Sequence, residues 1–347
     1  MKKCLLFTFD YELFLGERSG LVKDCMIDPT EKLLSIFDKY GVTSIFFVDT
    51  TYLALLKEKA GTHKKCAEDF KTVALQIQKL IQKKHYVFPH IHPHWKDAKY
   101  DPSTNQWSLM DISRYRFHYL TETERAQTFK SSMDVLQEII SPVDASYQIN
   151  GFRAGGWCLQ PFTDFMPYFK EFGIKYDFSV LPLVYQLSSV QYFDFSASPV
   201  KPVYYFDDDV VSEMLGGPFI ELASSIINIS PATRLINKFY LQYLLRIKKD
   251  HTYSRGEGQL PVHMDGNAAS GKGISILNPS YQPASLETMN AVKMPAYIHY
   301  FNENDYLQFV SHPKMLSNHN IETTARFLKK VTKKYDIEYD FVKLISS

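Results

Sequence analysis

Short apolar segments alternate with amphipathic segments through the first 180 residues of this 347-residue chain. Residues 3–10 form an apolar run that ends in an acidic residue, which is typical of a strand buried on both faces. The amphipathic segment that begins at Asp28-Pro29 predicts a helix ending at Gly41. Because this alternation repeats, we predict an α/β fold with a mainly parallel sheet and an active site at the carboxyl ends of its strands.

The alternation stops after residue 180, where Pro and Ser clusters and a Gly-Gly-Pro turn at 216–218 interrupt it, and it resumes near the C-terminus. We therefore predict a single domain over residues 1–347 with a large insertion at about 181–290.

Thr121 and Glu124 form a capping-box pattern at the start of one helix. The other predicted strands are residues 43–48, 86–90, 148–152, 174–180 and 306–311, and the other predicted helices are residues 64–84, 121–140, 161–172, 233–249 and 321–335.

The composition excludes several classes of protein. Hydrophobic residues make up 45% of the chain and charged residues 22%, so wholesale disorder is excluded. The chain has 39 Lys and Arg against 38 Asp and Glu, so it lacks the basic excess of a nucleic-acid-binding protein. No apolar run approaches the roughly 20 residues that span a bilayer. Because no signal-peptide pattern follows Met1 and the four cysteines are scattered, we expect a cytoplasmic protein; the oligomeric state is not predicted.

Three histidines, His90, His92 and His94, directly follow the apolar run at 86–90. Histidine is a common ligand of zinc and similar divalent ions. His90 and His94 converge if the chain makes one turn after the strand, whereas Pro93 favours an extended His92 and thus a His90/His92 pair on one strand face. All three are candidate metal ligands, and the alternative is a surface histidine cluster that binds nothing.

Two carboxylates, Asp10 and Glu12, lie at the end of the first predicted strand. In a strand, residues two apart point to the same side, so both carboxylates face the functional edge of the sheet. One of them could complete the shell of a metal ion while the other takes a proton from water. A carboxylate after a strand is more often a helix cap, but the histidines at the corresponding end of the third strand favour a metal site.

Further polar residues follow later strands. Arg153 leaves a strand ahead of two glycines that allow a close backbone approach, which suits the orientation of a carboxylate or an oxyanion; a structural ion pair is the alternative. Asp177 and His312 also lie at predicted strand ends. His299 is a rival to His312 as a catalytic acid, although a packed histidine in an aromatic cluster explains it equally well.

Taken in order, these motifs resemble the polysaccharide deacetylase (NodB-homology) family of metal-dependent carbohydrate esterases. The resemblance covers about residues 1–180 and 295–335, and the string from His90 to Trp95 resembles a divergent subgroup with a His-x-His-Pro-His-Trp motif, found near cell-envelope polysaccharide genes. The implied fold is a distorted seven-stranded (β/α) barrel. The implied cofactor is a divalent metal, zinc in our expectation.

The resemblance also implies roles for individual residues. Thr8-Phe9-Asp10 is similar to the family's Thr-Phe-Asp-Asp motif, with Asp10 as the general base. His90 and His94 match the two histidines that hold the metal. Arg153 matches the arginine that positions the catalytic Asp, and His312 matches the general acid that protonates the leaving amine.

The sequence departs from the family pattern at two places. Tyr11 stands where the family has a second Asp, so the metal-ligand role passes to Glu12, to Asp10 itself or to His92. Trp157 stands where the family has a tyrosine that shapes the substrate groove, and an indole ring can stack on a sugar face. The candidate substrate-binding residues are Trp95, Trp157 and Asp177, the last of which falls near the family's fourth motif.

The resemblance thus implies a metal-dependent hydrolase that removes an N-acetyl group from a carbohydrate, either a cell-envelope polysaccharide or its precursor. Two alternatives stay open. The first is a non-catalytic metal- and carbohydrate-binding protein of the same fold, because the second Asp is missing. The second is a deformylase or an amidase that acts on another carbon–nitrogen bond. The expected partner is an N-acetylated sugar or oligosaccharide.

Overall fold

The computed structural model describes residues 2–255, 258 and 281–345. Residues 259–280 of the predicted insertion, with most of its Gly/Asn/Ser-rich stretch, lie outside the described residues. The strands are β1 (Lys2–Tyr11), β2 (Ser44–Asp49), β3 (Tyr86–Ile91), β4 (Lys99–Asp101), β5 (Gln106–Ser108), β6 (Gly151–Ala154), β7 (Tyr176–Asp177), β8 (Tyr185–Leu187), β9 (Tyr192–Asp194), β10 (Val203–Phe206), β11 (Phe219–Leu222), β12 (Ile226–Asn228), β13 (Tyr281–Pro283), β14 (Tyr306–Ser311) and β15 (Asp336–Glu338). The α-helices are α1 (Asp28–Tyr40), α2 (Thr50–Ala60), α3 (Lys64–Gln82), α4 (Glu122–Ile140), α5 (Met166–Phe172), α6 (Pro231–Arg246), α7 (Met294–Glu303), α8 (Asn318–Val331) and α9 (Phe341–Ile345).

Most of the strands within the described residues belong to one nine-stranded sheet. Its order is β10-β11-β7-β6-β3-β2-β1-β14, and β15 also pairs with β1. All neighbours are parallel except β10 and β11, which are antiparallel. Parallel neighbours need crossover connections, and helices α1 to α5 supply them between β1 and β7. The predicted mainly parallel α/β fold is confirmed.

The two ends of the sheet approach each other without pairing as strands. Gln308 on β14 donates through its Nε2 to the carbonyl oxygen of Leu222 at 3.3 Å and to Oγ of Ser224 at 3.2 Å. Its backbone N–H donates to Oγ of Ser225 at 3.0 Å. Side chains therefore bridge the gap between β14 and the end of β11, so the distorted barrel that the resemblance implies is present as a curled, incompletely closed sheet.

Aromatic side chains fill the space between β1 and the helices that cover it. The Phe7 ring lies 5.1 Å from the rings of both Phe37 on α1 and Phe309 on β14. Phe9 stacks on Phe46 of β2, again at 5.1 Å. Because these rings are fully buried and lie on neighbouring strands, they hold the carboxyl ends of β1, β2 and β14 in fixed register.

Several predicted elements have different bounds in the structure. The helix predicted to begin at residue 161 begins at Met166, after a single 3₁₀ turn at Phe162–Asp164. The strand predicted over 174–180 has only two residues, Tyr176–Asp177. Helix α2 was not predicted; it begins where the side chain of Asp49 accepts the backbone N–H of Tyr52. The predicted capping box at Thr121 and Glu124 is present at the start of α4.

Part of the predicted insertion belongs to the central sheet. Strand β11 pairs in parallel with β7, and β10 pairs with the outer edge of β11. The Gly-Gly-Pro turn leads directly into β11, and the Cβ of any larger residue at Gly217 would lie 2.4 Å from the carbonyl oxygen of Phe206. The insertion therefore completes the sheet at the end opposite β14.

His85, the residue before β3, is a buried histidine that serves the fold. The backbone N–H of Ser44 donates to its Nδ1 at 3.1 Å, so this nitrogen carries a lone pair. Burial lowers the pKa of His85 to about 4, from an ordinary value of about 6.5. The imidazole is consequently neutral in the folded protein at pH values where the unfolded chain already binds a proton.

We predict that His85 makes the protein less stable as the pH falls from about 6.5 to about 4. In this range the unfolded state binds more protons than the folded state, so the free energy of unfolding decreases as the pH falls. Above the pKa of His85 in the unfolded chain, its contribution to stability is fully retained. Between pH 7 and pH 5 the wild type should lose about 2 kcal/mol more than His85→Gln, as measured by urea unfolding. Equal losses in the two proteins would contradict this assignment.

Candidate active site

The register of the central sheet brings polar residues from four strands to one edge. Asp49 at the end of β2 pairs with His90 on β3, and His90 pairs in turn with Arg153 on β6. On the other side, Phe9 of β1 pairs with Ser311, the last residue of β14. The side chains that follow these positions therefore meet above the carboxyl ends of the strands, where the alternation predicts the active site.

Glu12, His90 and His92 form a group whose ligand atoms lie within 4.8 Å of one another. The Nε2 atoms of the two histidines are 3.1 Å apart. Oε2 of Glu12 lies 2.9 Å from Nε2 of His92 and 3.7 Å from Nε2 of His90. In a tetrahedral zinc site with bonds of about 2.1 Å, ligand atoms are about 3.4 Å apart. The three atoms therefore have a spacing that fits a divalent cation.

The hydrogen bonds of His90 orient its ring towards this group. Nδ1 of His90 lies 2.9 Å from the carbonyl oxygen of Arg153, which can only accept, so Nδ1 carries the hydrogen. Nε2 consequently presents a lone pair to Glu12 and His92. Burial lowers the pKa of His90 to about 4, so the ring is neutral, as a metal ligand requires. A backbone carbonyl in this role is a common way to fix a ligating histidine.

Glu12 is fully buried and forms an ion pair with Lys314. Nζ of Lys314 donates to Oε1 of Glu12 at 2.9 Å and to the carbonyl oxygen of Leu13 at 2.8 Å. Burial alone would raise the pKa of Glu12, but Lys314 and His92 outweigh it and hold this pKa well below its usual range. Oε2 of Glu12 lies 2.9 Å from Nε2 of His92, and this contact outweighs burial and raises the pKa of His92. The side chain is thus ionised, with one oxygen bound by Lys314 and the other directed at the two histidines.

Asp10 lies beside this group and is bound by Arg153. The guanidinium donates to Oδ1 of Asp10 at 2.7 Å, to Oγ1 of Thr8 at 2.7 Å and to the carbonyl oxygen of Phe178 at 3.0 Å. Burial alone would raise the pKa of Asp10, but Arg153, with smaller contributions from His90 and His312, lowers it below its usual value. Oδ2 of Asp10 is left facing the site, 3.8 Å from Nε2 of His90.

His312 approaches Asp10 from β14. Its Nδ1 lies 3.0 Å from Oε1 of Glu287, a carboxylate acceptor, so Nδ1 carries a hydrogen, and its Nε2 lies 3.5 Å from Oδ2 of Asp10. Burial alone would lower the pKa of His312, but its bond to Glu287 and the charge of Asp10 outweigh burial and raise it. This arrangement favours an imidazolium whose Nε2–H points into the site.

These residues line a cavity of about 330 Å³, the lower end of the range for small-ligand sites. Its lining also includes Tyr115, Trp157 and Gln191. Nε1 of Trp157, Oε1 of Gln191 and Oε2 of Glu287 are buried without a hydrogen-bond partner in the described part of the chain. Buried polar atoms without partners are costly, so these three are suited to hydrogen bonds with a polar ligand. A wider groove of about 1230 Å³ along α6 and α8 is lined by none of the residues that line the active-site cavity.

His94 lies outside the group of Glu12, His90 and His92, although its ring centre is 5.5 Å from that of His92. His92 is extended, with φ −113° and ψ 90°, and Pro93 then begins a 3₁₀ turn that carries His94 behind the site. The His94 ring stacks on Tyr115 at 5.0 Å, and neither of its nitrogens has a hydrogen-bond partner among the described residues. The structure thus brings His90 together with His92, the strand-face pairing that Pro93 favours, and leaves His94 out of this group.

Three other candidate residues lie outside the cavity. Trp95 is fully buried and donates through Nε1 to Asp49 at 2.5 Å. Asp177 is fully buried and accepts the backbone N–H and the hydroxyl of Ser179, both at 2.9 Å. Trp95 and Asp177 therefore bind protein groups near the strand ends and do not line the cavity. His299 is exposed on α7 and lines no part of the cavity.

Several cavity residues have no clear signal in the sequence. Lys314 follows His312 by two positions, and its role as partner of Glu12 depends on the turn at Pro313–Met315. Glu287 and Gln191 lie in the insertion, and Tyr115 lies in the irregular segment between α3 and α4. The short sequence from His312 to Lys314, which directly follows β14, is a signal that could have drawn attention to Lys314.

No protein-family model matches the chain, and no curated protein matches it either. Among solved structures, a protein from Mycobacterium smegmatis described as a polysaccharide deacetylase is 14% identical and has a TM-score of 0.48, with 99% of this chain and 89% of the other covered. An allantoinase is 9% identical, with a TM-score of 0.46 and coverage of 98% and 86%. A family 4 carbohydrate esterase from Streptomyces lividans is 10% identical, with a TM-score of 0.38 and coverage of 96% and 90%. At these identities and scores the likeness does not identify the reaction.

We predict that Gly155→Ala disturbs the position of His92. A Cβ at Gly155 would lie 2.3 Å from the carbonyl oxygen of Ile91 and 2.8 Å from Nδ1 of His92, and the backbone atom cannot move without shifting β3. The expected cost is about 1–3 kcal/mol of unfolding free energy, measured by urea denaturation. Gly61→Ala is the matched control, because its nearest neighbour is 4.0 Å away, and it should change stability by less than about 0.5 kcal/mol. Equal stabilities of the two variants would contradict the prediction.

Proposed function

We propose that the chain is a metal-dependent hydrolase that removes an N-acetyl group from a carbohydrate. One observation carries the proposal: a three-atom ligand group, a carboxylate bound to a buried arginine, and a histidine bound to a carboxylate all face the same cavity. These are the parts that amide hydrolysis by a metal-assisted route needs, namely a cation site, a general base and a general acid. The residues assigned to the cation are Glu12, His90 and His92.

A divalent cation at this position polarises a carbonyl group and makes water more acidic. Asp10 is assigned as the general base, because Arg153 holds one carboxylate oxygen and leaves the other facing the cavity. Arg153 is fully buried, so it fixes the orientation of Asp10 and keeps it ionised at neutral pH. Asp10 can therefore take a proton from water without first having to lose one.

His312 is assigned as the general acid that protonates the leaving amine. Glu287 binds Nδ1 of His312 and raises its pKa, so the proton on Nε2 is retained until a basic group forms in the cavity. Nε2 lies on the same side of the cavity as Oδ2 of Asp10, 3.5 Å away. The base and the acid can thus act on the two ends of the same scissile bond.

Three further residues of the cavity lining support a sugar as the substrate. The Trp157 side chain offers an indole face and an N–H that has no partner among the described residues, and the amide oxygen of Gln191 offers an unpaired acceptor. Sugars present both apolar faces and hydroxyl groups, which suit a wall of this composition. Tyr115 adds a second aromatic ring to the lining.

We predict that the purified chain binds one equivalent of Zn²⁺ or Co²⁺ and that the two strand-face histidines are responsible. His90→Ala and His92→Ala should each lose the metal, because each removes one of three ligand atoms, whereas His94→Ala should retain it. Metal content by elemental analysis and the visible spectrum of the Co²⁺ form measure this, with circular dichroism as a check on folding. Loss of metal in His94→Ala together with retention in His92→Ala would contradict the ligand assignment.

We further predict metal-dependent release of acetate from a panel of N-acetylated sugars. Asp10→Asn and His312→Gln should lower kcat about 10²- to 10⁴-fold with the metal retained, because each removes a proton-transfer group and no ligand. Identifying the acid by mass spectrometry separates acetate from formate, and therefore a deacetylase from a deformylase. Binding of the sugars without release of any acid would instead support the non-catalytic alternative.

A further inference from the structure

Helix α6 presents its apolar side chains to solvent. Only two of its residues, Asn237 and Leu244, are buried. Asn237 is held by a hydrogen bond from Nδ2 of Asn290 at 2.6 Å, so the inward face of the helix is partly polar. In a helix of a globular protein the apolar face normally points inward, and α6 has the opposite arrangement.

Four of the exposed apolar residues form one stripe along the helix, whereas Leu241 and Leu245 are exposed outside it. At about 100° per residue, Leu235, Ile236, Phe239 and Tyr243 fall within a sector of about 100°. Phe239 is 68% exposed, and Ile247, which continues the stripe just beyond the helix, is 70% exposed. A contiguous exposed stripe of Leu, Ile and Phe marks an interaction surface, because isolated exposed residues are ordinary but ordered rows of them are costly in water. The 16 residues of the helix make the stripe about 24 Å long.

The charged residues of α6 itself are all basic, although Lys248 and Lys249 beyond it line a groove that also contains Asp250 and Glu322. Between residues 231 and 249 the chain has five basic residues and no acidic one. Arg234 and Lys238 are one turn apart on the flank of the stripe, and Arg246 follows near the end of the helix. None of the five basic side chains forms an ion pair within residues 2–255, 258 and 281–345. The basic residues in order are Arg234, Lys238, Arg246, Lys248 and Lys249.

We propose that α6 docks the protein on the surface of an anionic lipid bilayer, with the stripe inserted at the level of the headgroups. An amphipathic helix rich in Lys and Arg, with Leu, Ile and Phe on its apolar face, has this property. Lys side chains at the flank can extend their ammonium groups to anionic headgroups while their methylene stems lie against the stripe. No described helix is long and apolar enough to cross a bilayer, so α6 would lie along the surface.

Charge favours a bilayer over a second copy of the chain. Two copies that paired through α6 would bring together two sets of five basic residues with no acidic residue on either helix, and like charges at close range oppose such pairing. An anionic membrane supplies both a non-polar layer for the stripe and negative charge for its flanks. The docking proposal stands apart from the proposed function, because α6 contributes no residue to the active-site cavity.

The test is co-sedimentation of the full chain with vesicles of phosphatidylcholine alone or with about one third phosphatidylglycerol. Binding is expected to the anionic vesicles and to weaken on raising salt from about 0.1 M to about 1 M. The double variant Leu235→Gln/Phe239→Gln should lower the partition coefficient tenfold or more, by removing apolar area. The triple variant Lys238→Gln/Lys248→Gln/Lys249→Gln should lower it on the order of 100-fold, at about fivefold for each charge.

Leu75→Gln is the matched control, since Leu75 is an exposed leucine on α3, and it should keep wild-type binding. No binding to anionic vesicles, or equal binding by the wild type and the Leu235→Gln/Phe239→Gln variant, would overturn the proposal. A lipid-free dimer that dissociates in that variant, detected by analytical ultracentrifugation, would assign the stripe to a second copy and also overturn it. A Phe239→Trp variant whose added tryptophan fluorescence is blue-shifted without lipid would also overturn the proposal, because another part of the chain would then cover the stripe.

Discussion

The buried ion pair between Arg153 and Asp10 is the interaction on which the site depends. Arg153 is fully buried, and a buried guanidinium is tolerated only when its donors are satisfied. Its hydrogen bonds to Asp10, Thr8 and the carbonyl of Phe178 tie β6 to β1 and to the end of β7, and its guanidinium lies 4.2 Å from the ring centre of Phe47. The same residue that orients Asp10 thus fixes the positions of the strands that carry the other site residues.

The charges of the site are paired within the protein. Asp10 is balanced by Arg153, Glu12 by Lys314, and Glu287 by His312. Because each of these carboxylates is already paired with a basic group, a divalent cation bound by Glu12, His90 and His92 would give the site a net positive charge. Such an excess stabilises the negative charge that develops on a carbonyl oxygen during hydrolysis.

The sequence predicted those parts of the fold and site that follow from periodicity and strand ends. The two-residue spacing of Asp10 and Glu12, and of His90 and His92, correctly indicates side chains on one face of a strand. It does not determine how the chain leaves β3, so the position of His94 depended on where a helical turn follows. In the structure that turn begins only at Pro93, after the extended His92. Strand β11 and the residues Glu287 and Lys314 were not predicted, because short strands and loops reach the site through tertiary contacts that leave no periodic pattern.

The most direct test of the metal site is anomalous X-ray diffraction at the zinc absorption edge from a crystal of the Zn²⁺-loaded protein. Our account predicts one peak about 2.0–2.2 Å from Nε2 of His90, Nε2 of His92 and an oxygen of Glu12, with Lys314 still bound to that carboxylate. A peak bound by His94 instead of His92, or no peak between β1 and β3, would contradict it.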